Sequence, residues 1–107
     1  MLPKRPFTLT FAPEVIAHLD YINRKHHSSI RQAIREQLTH IPNLQTANRK
    51  ELDQPAPFEA TWEFRCGPDN RFRVLYDVNI TEHRVWILAI GIKEGNRLFI
   101  GGKEYTR

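Results

Sequence analysis

The sequence predicts an α+β fold in which a helical hairpin packs on one face of a largely antiparallel sheet. Three observations lead there. Apolar and polar residues alternate at period two from Phe7 to Phe11, and again in two stretches between Ala60 and Val78. Between these regions, from Val15 to Ile41, apolar residues recur at helical spacing. The connections of the second half are short and turn-like, which suits a meander of neighbouring strands.

The elements follow in chain order. Phe7, Leu9 and Phe11 alternate with Thr8 and Thr10, giving a short strand with one buried face. Pro13 suits a first helical turn, and Glu14 beside it meets the positive end of the helix dipole. Val15, Ile16, Leu19 and Ile22 then predict an amphipathic helix from Pro13 to about His26, with all four facing the core. Ser29 with Gln32 fits a capping box opening a second helix, whose inner stripe is Ile30, Ala33, Ile34, Leu38 and Ile41 and which Pro42 ends. Residues 43–57 are polar, lack a period and read as a loop. Trp62, Phe64 and Cys66 alternate with Glu63 and Arg65, Gly67 to Asn70 forms a turn, and Phe72 to Val78 alternates again. Arg84 to Ile92 is apolar on both faces and therefore the central strand. The glycine-rich tail has room for one more strand around Leu98 to Ile100.

The 107 residues suffice for one domain, 1–107. Sixteen Lys and Arg against twelve Asp and Glu leave a net charge of +4, which admits a polyanion partner. A single cysteine, Cys66, rules out an internal disulfide and a multi-cysteine zinc site. The longest apolar run, Val85 to Ile92, is far below the roughly 20 residues of a membrane helix. No signal peptide is visible, so a cytoplasmic protein without a membrane partner is expected. The five histidines show no helical zinc spacing and read as solvated side chains, so neither a metal nor another cofactor is expected.

The basic residues carry more chemistry. Arg24, Lys25, Arg31 and Arg35 sit on the hairpin as a solvated face or as ground for an acidic partner. Arg65 ends one predicted strand, Arg73 lies inside the next, and Lys93 and Arg97 follow the third. In an antiparallel meander these positions fall at one edge, placing up to four cations at one end of the open sheet face. Such a cluster has the chemistry to hold phosphates and stabilise a phosphorane, and equally matches arginines that merely flank turns. Cys66 reads as a small core residue, with a nucleophile as the alternative.

The stretch Phe72-Arg73-Val74-Leu75-Tyr76, followed by Val85 to Ile92 and then Lys93, resembles the core signature of the RelE/ParE toxins of bacterial toxin–antitoxin modules. Trp62-Glu63-Phe64-Arg65 resembles a strand of the YoeB branch. The resemblance implies a RelE-like, microbial-ribonuclease-like fold and a metal-independent endoribonuclease that cleaves mRNA in the ribosomal A site. The substrate's 2′-OH would attack the adjacent phosphate, leaving a 2′,3′-cyclic phosphate and a 5′-OH. By position, Arg73 matches the transition-state arginine, Lys93 the acid for the leaving oxygen, and Arg65 a phosphate contact. Phe99 stands at about the distance from Lys93 where the family has its C-terminal tyrosine, so either a returning tail presents Tyr105 to the same site or that role is absent, and Arg71, Arg97 and Lys103 are the expected RNA-binding cations. Glu63 departs from the family, standing about where RelE has a lysine, and no residue matches the general base. The resemblance also implies a cognate antitoxin and a hetero-oligomer with it. Two alternatives follow from the departures: a ParE-like toxin that inhibits DNA gyrase without cleaving RNA, and an inactive antitoxin-binding relative.

Overall fold

The computed structural model describes residues 5–105. Seven strands and two α-helices alternate as β1 (Thr8–Phe11), α1 (Glu14–Leu19), α2 (His27–Leu38), β2 (Arg49–Glu51), β3 (Trp62–Cys66), β4 (Phe72–Asn79), β5 (Arg84–Glu94), β6 (Arg97–Ile100) and β7 (Lys103–Tyr105). The strands form one sheet in the order β2-β3-β4-β5-β6-β7, antiparallel throughout. β1 joins it parallel to β5. The predicted α+β class and the central place of β5 hold. No described helix is long and apolar enough to cross a membrane.

β5 is long enough to serve two partners on one side. β1 takes its first half, Arg84 to Ile87, and β6 its second, Gly91 to Glu94. The gap between them is closed by α1, whose His18 Nδ1 accepts the Ile90 N–H at 3.3 Å. A backbone donor without a strand partner thus finds a side-chain acceptor, as buried amides require. His18 is therefore not a solvated histidine but a buried one. Burial holds its pKa below the ordinary value, and Glu14 only partly opposes this. Because Nδ1 accepts, the neutral ring carries its proton on Nε2.

A pH dependence follows from that ring. The unfolded chain takes up a proton at His18 below about pH 6.5, whereas the folded chain resists it. Stability from this group is complete above pH 6.5 and is lost as pH falls toward the lower folded value. Urea midpoints at about pH 7.5 and about pH 5.5 should therefore differ less in His18→Gln than in the natural chain. An unchanged difference would remove His18 from the account.

The helical hairpin is reduced from expectation. α1 stops at Leu19, and a 3₁₀ turn at Arg24–His26 runs straight into α2. Asn23 ends the predicted helix early, because its side chain accepts the Lys25 N–H at 3.0 Å and starts the new turn. The predicted capping box does not form. α2 already begins at His27, so Ser29 lies inside it and donates to the His26 carbonyl at 3.0 Å. Val15, His18 and Ile22 are buried, but Ile16 is 73% exposed and Ile41 is also exposed. A six-residue helix has only one inward stripe, and Ile16 is not on it.

The main core lies between α2 and one sheet face. Ile30, Ile34 and Leu38 meet Phe64, Phe72, Val74, Tyr76 and Ile87 there. Residues 43–57 are not all loop, for β2 pairs there with β3. β2 was invisible because Arg49-Lys50-Glu51 has no apolar face. Arg49 donates to the carbonyls of Gln37 at 2.9 Å and of Ile41, so a cation closes the C-terminal end of α2. Tyr76 donates to the Pro42 carbonyl at 2.8 Å and fixes the following loop to the sheet. On the other face, Leu75, Ala89, Leu98 and Ile100 form a smaller cluster covered by Leu52, Phe58 and Tyr105.

Candidate nucleic-acid interface

Residues paired across antiparallel strands share a face, so the register sorts the predicted site residues. Arg65 stands opposite Arg73, and Arg73 opposite Gly91, then Ile100 and Lys103. The next row along the strands is Lys93, Leu98 and Tyr105, with the Lys93 N–H donating to the Arg71 carbonyl at 2.8 Å. Arg65, Arg73, Lys93, Lys103 and Tyr105 therefore all belong to the sheet face turned away from α2, and Arg71, in the turn before β4, borders it beside Arg73 and Lys93.

Arg97 does not. The Gly95-Asn96 turn sets Arg97 opposite Glu94 and leaves Leu98 opposite Lys93, so Arg97 projects from the other face. It donates to Glu104 at 2.7 Å, and that hydrogen bond holds the Glu104 carboxyl below its ordinary value. The expected four-cation convergence is thus corrected to Arg65, Arg73 and Lys93, joined by Arg71. A one-residue change of parity is enough to move a side chain across a sheet.

Two clefts open on the face. The first, of about 200 Å³, is lined by the segment 45–50 together with Glu63, Arg65 and Arg73. The second, of about 530 Å³, lies at the edge of the face where β5 ends and is lined by Asp69, Asn70, Arg71, Arg73, Lys93, Glu94 and Gly95. Arg73 belongs to both. Its guanidinium Nη1 is 3.9 Å from the Glu63 carboxylate, and its Nε donates to the Asn70 carbonyl at 3.3 Å. Glu63 is 3% exposed and Arg73 9%. The same carboxylate oxygen lies 4.0 Å from the Lys50 ammonium. Arg65 donates to the Ala47 carbonyl at 2.9 Å, and Arg71 lies 3.7 Å from Glu94.

Lys50 and Glu63 are the residues sequence reasoning missed as partners. Lys50 lies on the strand without a hydrophobic period, directly opposite Glu63. Where the family resemblance expects a lysine on β3, the chain has a glutamate, and an amine comes in from the neighbouring strand instead. Tyr105 is two strands from Lys93, about 10 Å laterally, with its ring 5.4 Å from that of Phe58. Lys103 lies over the Tyr105 ring with its ammonium 5.5 Å from the centroid.

Cys66 packs against the main core. Burial pushes its thiol up to about 11, with Arg73 opposing only in part, so the sulfur is protonated at neutral pH and is no nucleophile. Among the described residues no group of three or more His, Cys, Asp or Glu side chains is arranged to hold a metal. The face can hold anions: fixed guanidinium and ammonium groups stand over a partly desolvated floor, where charge-assisted hydrogen bonds gain strength. Compared with known proteins, the chain matches no family model and no curated protein.

Proposed function

We propose that this chain is a RelE/ParE-type toxin with a RelE-like fold, acting in the cytoplasm as a ribosome-dependent endoribonuclease and restrained by a cognate antitoxin. The observation that carries this reading is the gathering of Arg65, Arg73 and Lys93 on one sheet face, at strand ends that share two clefts. Arg73 is held on both sides, by Glu63 and by the Asn70 carbonyl, so its guanidinium is oriented before any ligand arrives. A pre-oriented cation of this kind stabilises the charge that develops on a phosphorane. In this reading the substrate's 2′-oxygen attacks the adjacent phosphorus as its proton passes to solvent water, Arg65 and Arg73 hold the phosphoryl oxygens, and the P–O5′ bond breaks as Lys93 protonates the leaving 5′-oxygen.

The test is induction in bacterial cells with mapping of new 5′-OH RNA ends. Arg73→Lys is the appropriate control, because it keeps the charge beside Glu63 while losing the fork that binds two oxygens. Cuts inside translated codons that disappear in Arg73→Lys are the expected result. Equal cutting by a folded Arg73→Lys protein would overturn the assignment of its guanidinium fork to the phosphoryl oxygens.

One observation favours a second reading. Arg73 is buried against a carboxylate, as a purely structural arginine would be. A non-enzymatic ParE-like toxin needs no reactive arginine. Growth arrest with intact RNA and inhibited supercoiling by purified DNA gyrase is its signature.

A further inference from the structure

We infer that the face holds two consecutive phosphates of a single RNA strand, one on each side of Arg73. The inference rests on the reading of this face as an RNA site and names how the strand lies on it.

The two clefts share Arg73 and otherwise have separate cations. Lys50 and Arg65 line the first, and Arg71 and Lys93 the second. Lys50 and Lys93 stand on β2 and β5, three strands apart and about 14 Å laterally, so one phosphate is not within easy reach of both. Arg71, in the turn that leads into β4, lines the second cleft together with Arg73. The first cleft carries a positive excess of its own, and the second does so with the shared Arg73. In the first, the one acid is Glu63, whose buried carboxylate lies beneath Lys50 and Arg73. In the second, Glu94 is paired with Arg71 at the rim and Asp69 is exposed. Polar neutral groups complete the first cleft, with Thr46 and Asn48 on its wall.

Lys50 is thus assigned as a phosphate-binding residue of a strand that sequence periodicity did not reveal. Its side chain is 59% exposed and reaches the cleft from the sheet edge. A strand entering over β2 would place one phosphate between Lys50, Arg65 and Arg73, and the next between Arg73, Arg71 and Lys93.

The experiment measures binding of an uncleavable 2′-O-methyl hexaribonucleotide by fluorescence anisotropy across a salt series. For single strands the slope of log K against log salt is about −0.7 per phosphate neutralised. Lys50→Ala and Lys93→Ala should each flatten the slope by about 0.7, and the double variant by about 1.4. Arg35→Ala, which removes one charge from the exposed side of α2, should leave the slope unchanged. Flattening by Lys93→Ala alone would overturn the two-phosphate arrangement and leave the RNA reading standing. A double variant no flatter than either single one would also overturn it, since both lysines would then serve one phosphate. A slope indifferent to both lysines would overturn the RNA reading itself. Thermal melts of each variant show whether it is folded.

Discussion

Glu63→Leu should lower the unfolding free energy by about 3–5 kcal/mol, the range seen when one member of a buried ion pair is removed. The cause is what it leaves behind. Arg73 is nine-tenths buried, and Glu63 is a buried carboxylate 3.9 Å from its guanidinium, so the substitution takes a counter-charge away from a desolvated cation. An uncompensated charge in partly desolvated surroundings is costly, whereas an apolar pair of similar volume is not. The double variant Glu63→Leu/Arg73→Leu should therefore regain most of the loss. Urea midpoints of the two single variants and the double variant measure the coupling directly. A Glu63→Leu protein within about 0.5 kcal/mol of the natural chain would show that the pair contributes nothing to stability. The expectation also bears on function. Arg73→Ala removes a candidate catalytic group and a counter-charge together, so loss of activity in that variant alone says little.

The second large effect is expected at Gly67, in the turn from β3 to β4. Its φ of +82° is a conformation that L side chains rarely adopt, and a Cβ there would lie 2.3 Å from Cδ2 of Phe72. Phe72 is a core residue at the head of β4, with its ring 5.0 Å from that of His26. Gly67→Ala should therefore strain the backbone and displace a packed ring, together about 2–4 kcal/mol. The displacement also reaches the site, because Phe72 lies between Arg71 and Arg73. Oligonucleotide affinity should fall with stability, as measured by anisotropy and urea unfolding on the same preparation. A variant with natural affinity and stability would mean that the turn accommodates a methyl group freely.

What the sequence made legible follows from where each element buries its side chains. β3 and β4 announce themselves because Trp62, Phe64, Phe72, Val74 and Tyr76 all enter one core, and α2 because Ile30, Ile34 and Leu38 do so at helical spacing. β2 and β7 are three-residue edge strands built of exposed or half-buried residues, and such strands carry no period to detect. The site shows the same division. Arg65 and Arg73 could be paired on paper because only a short turn separates their strands. Lys50 could not, since its strand was hidden. Arg97 was misplaced because one residue of turn length decides its face. His18 escaped notice because its role is to complete a backbone hydrogen bond across the gap between β1 and β6. That gap is a matter of topology and not of local pattern.

The double occupancy of one side of β5 has a consequence for the order of events in folding. Thr10 and Arg84 are hydrogen-bonded across 74 positions, and His18 and Ile90 across 72. Neither β1 nor α1 can reach its native partner until β5 exists. Loops of that length close slowly, and topologies rich in distant pairings fold slowly compared with local ones. During synthesis α1 therefore emerges with Val15 uncovered, and it stays so until the central strand has left the ribosome. The meander from β3 to β5 is the segment able to form first by neighbour contacts alone. The cationic face of Arg65, Arg73 and Lys93, built on that meander, then takes shape before the chain's opening segment is locked in place.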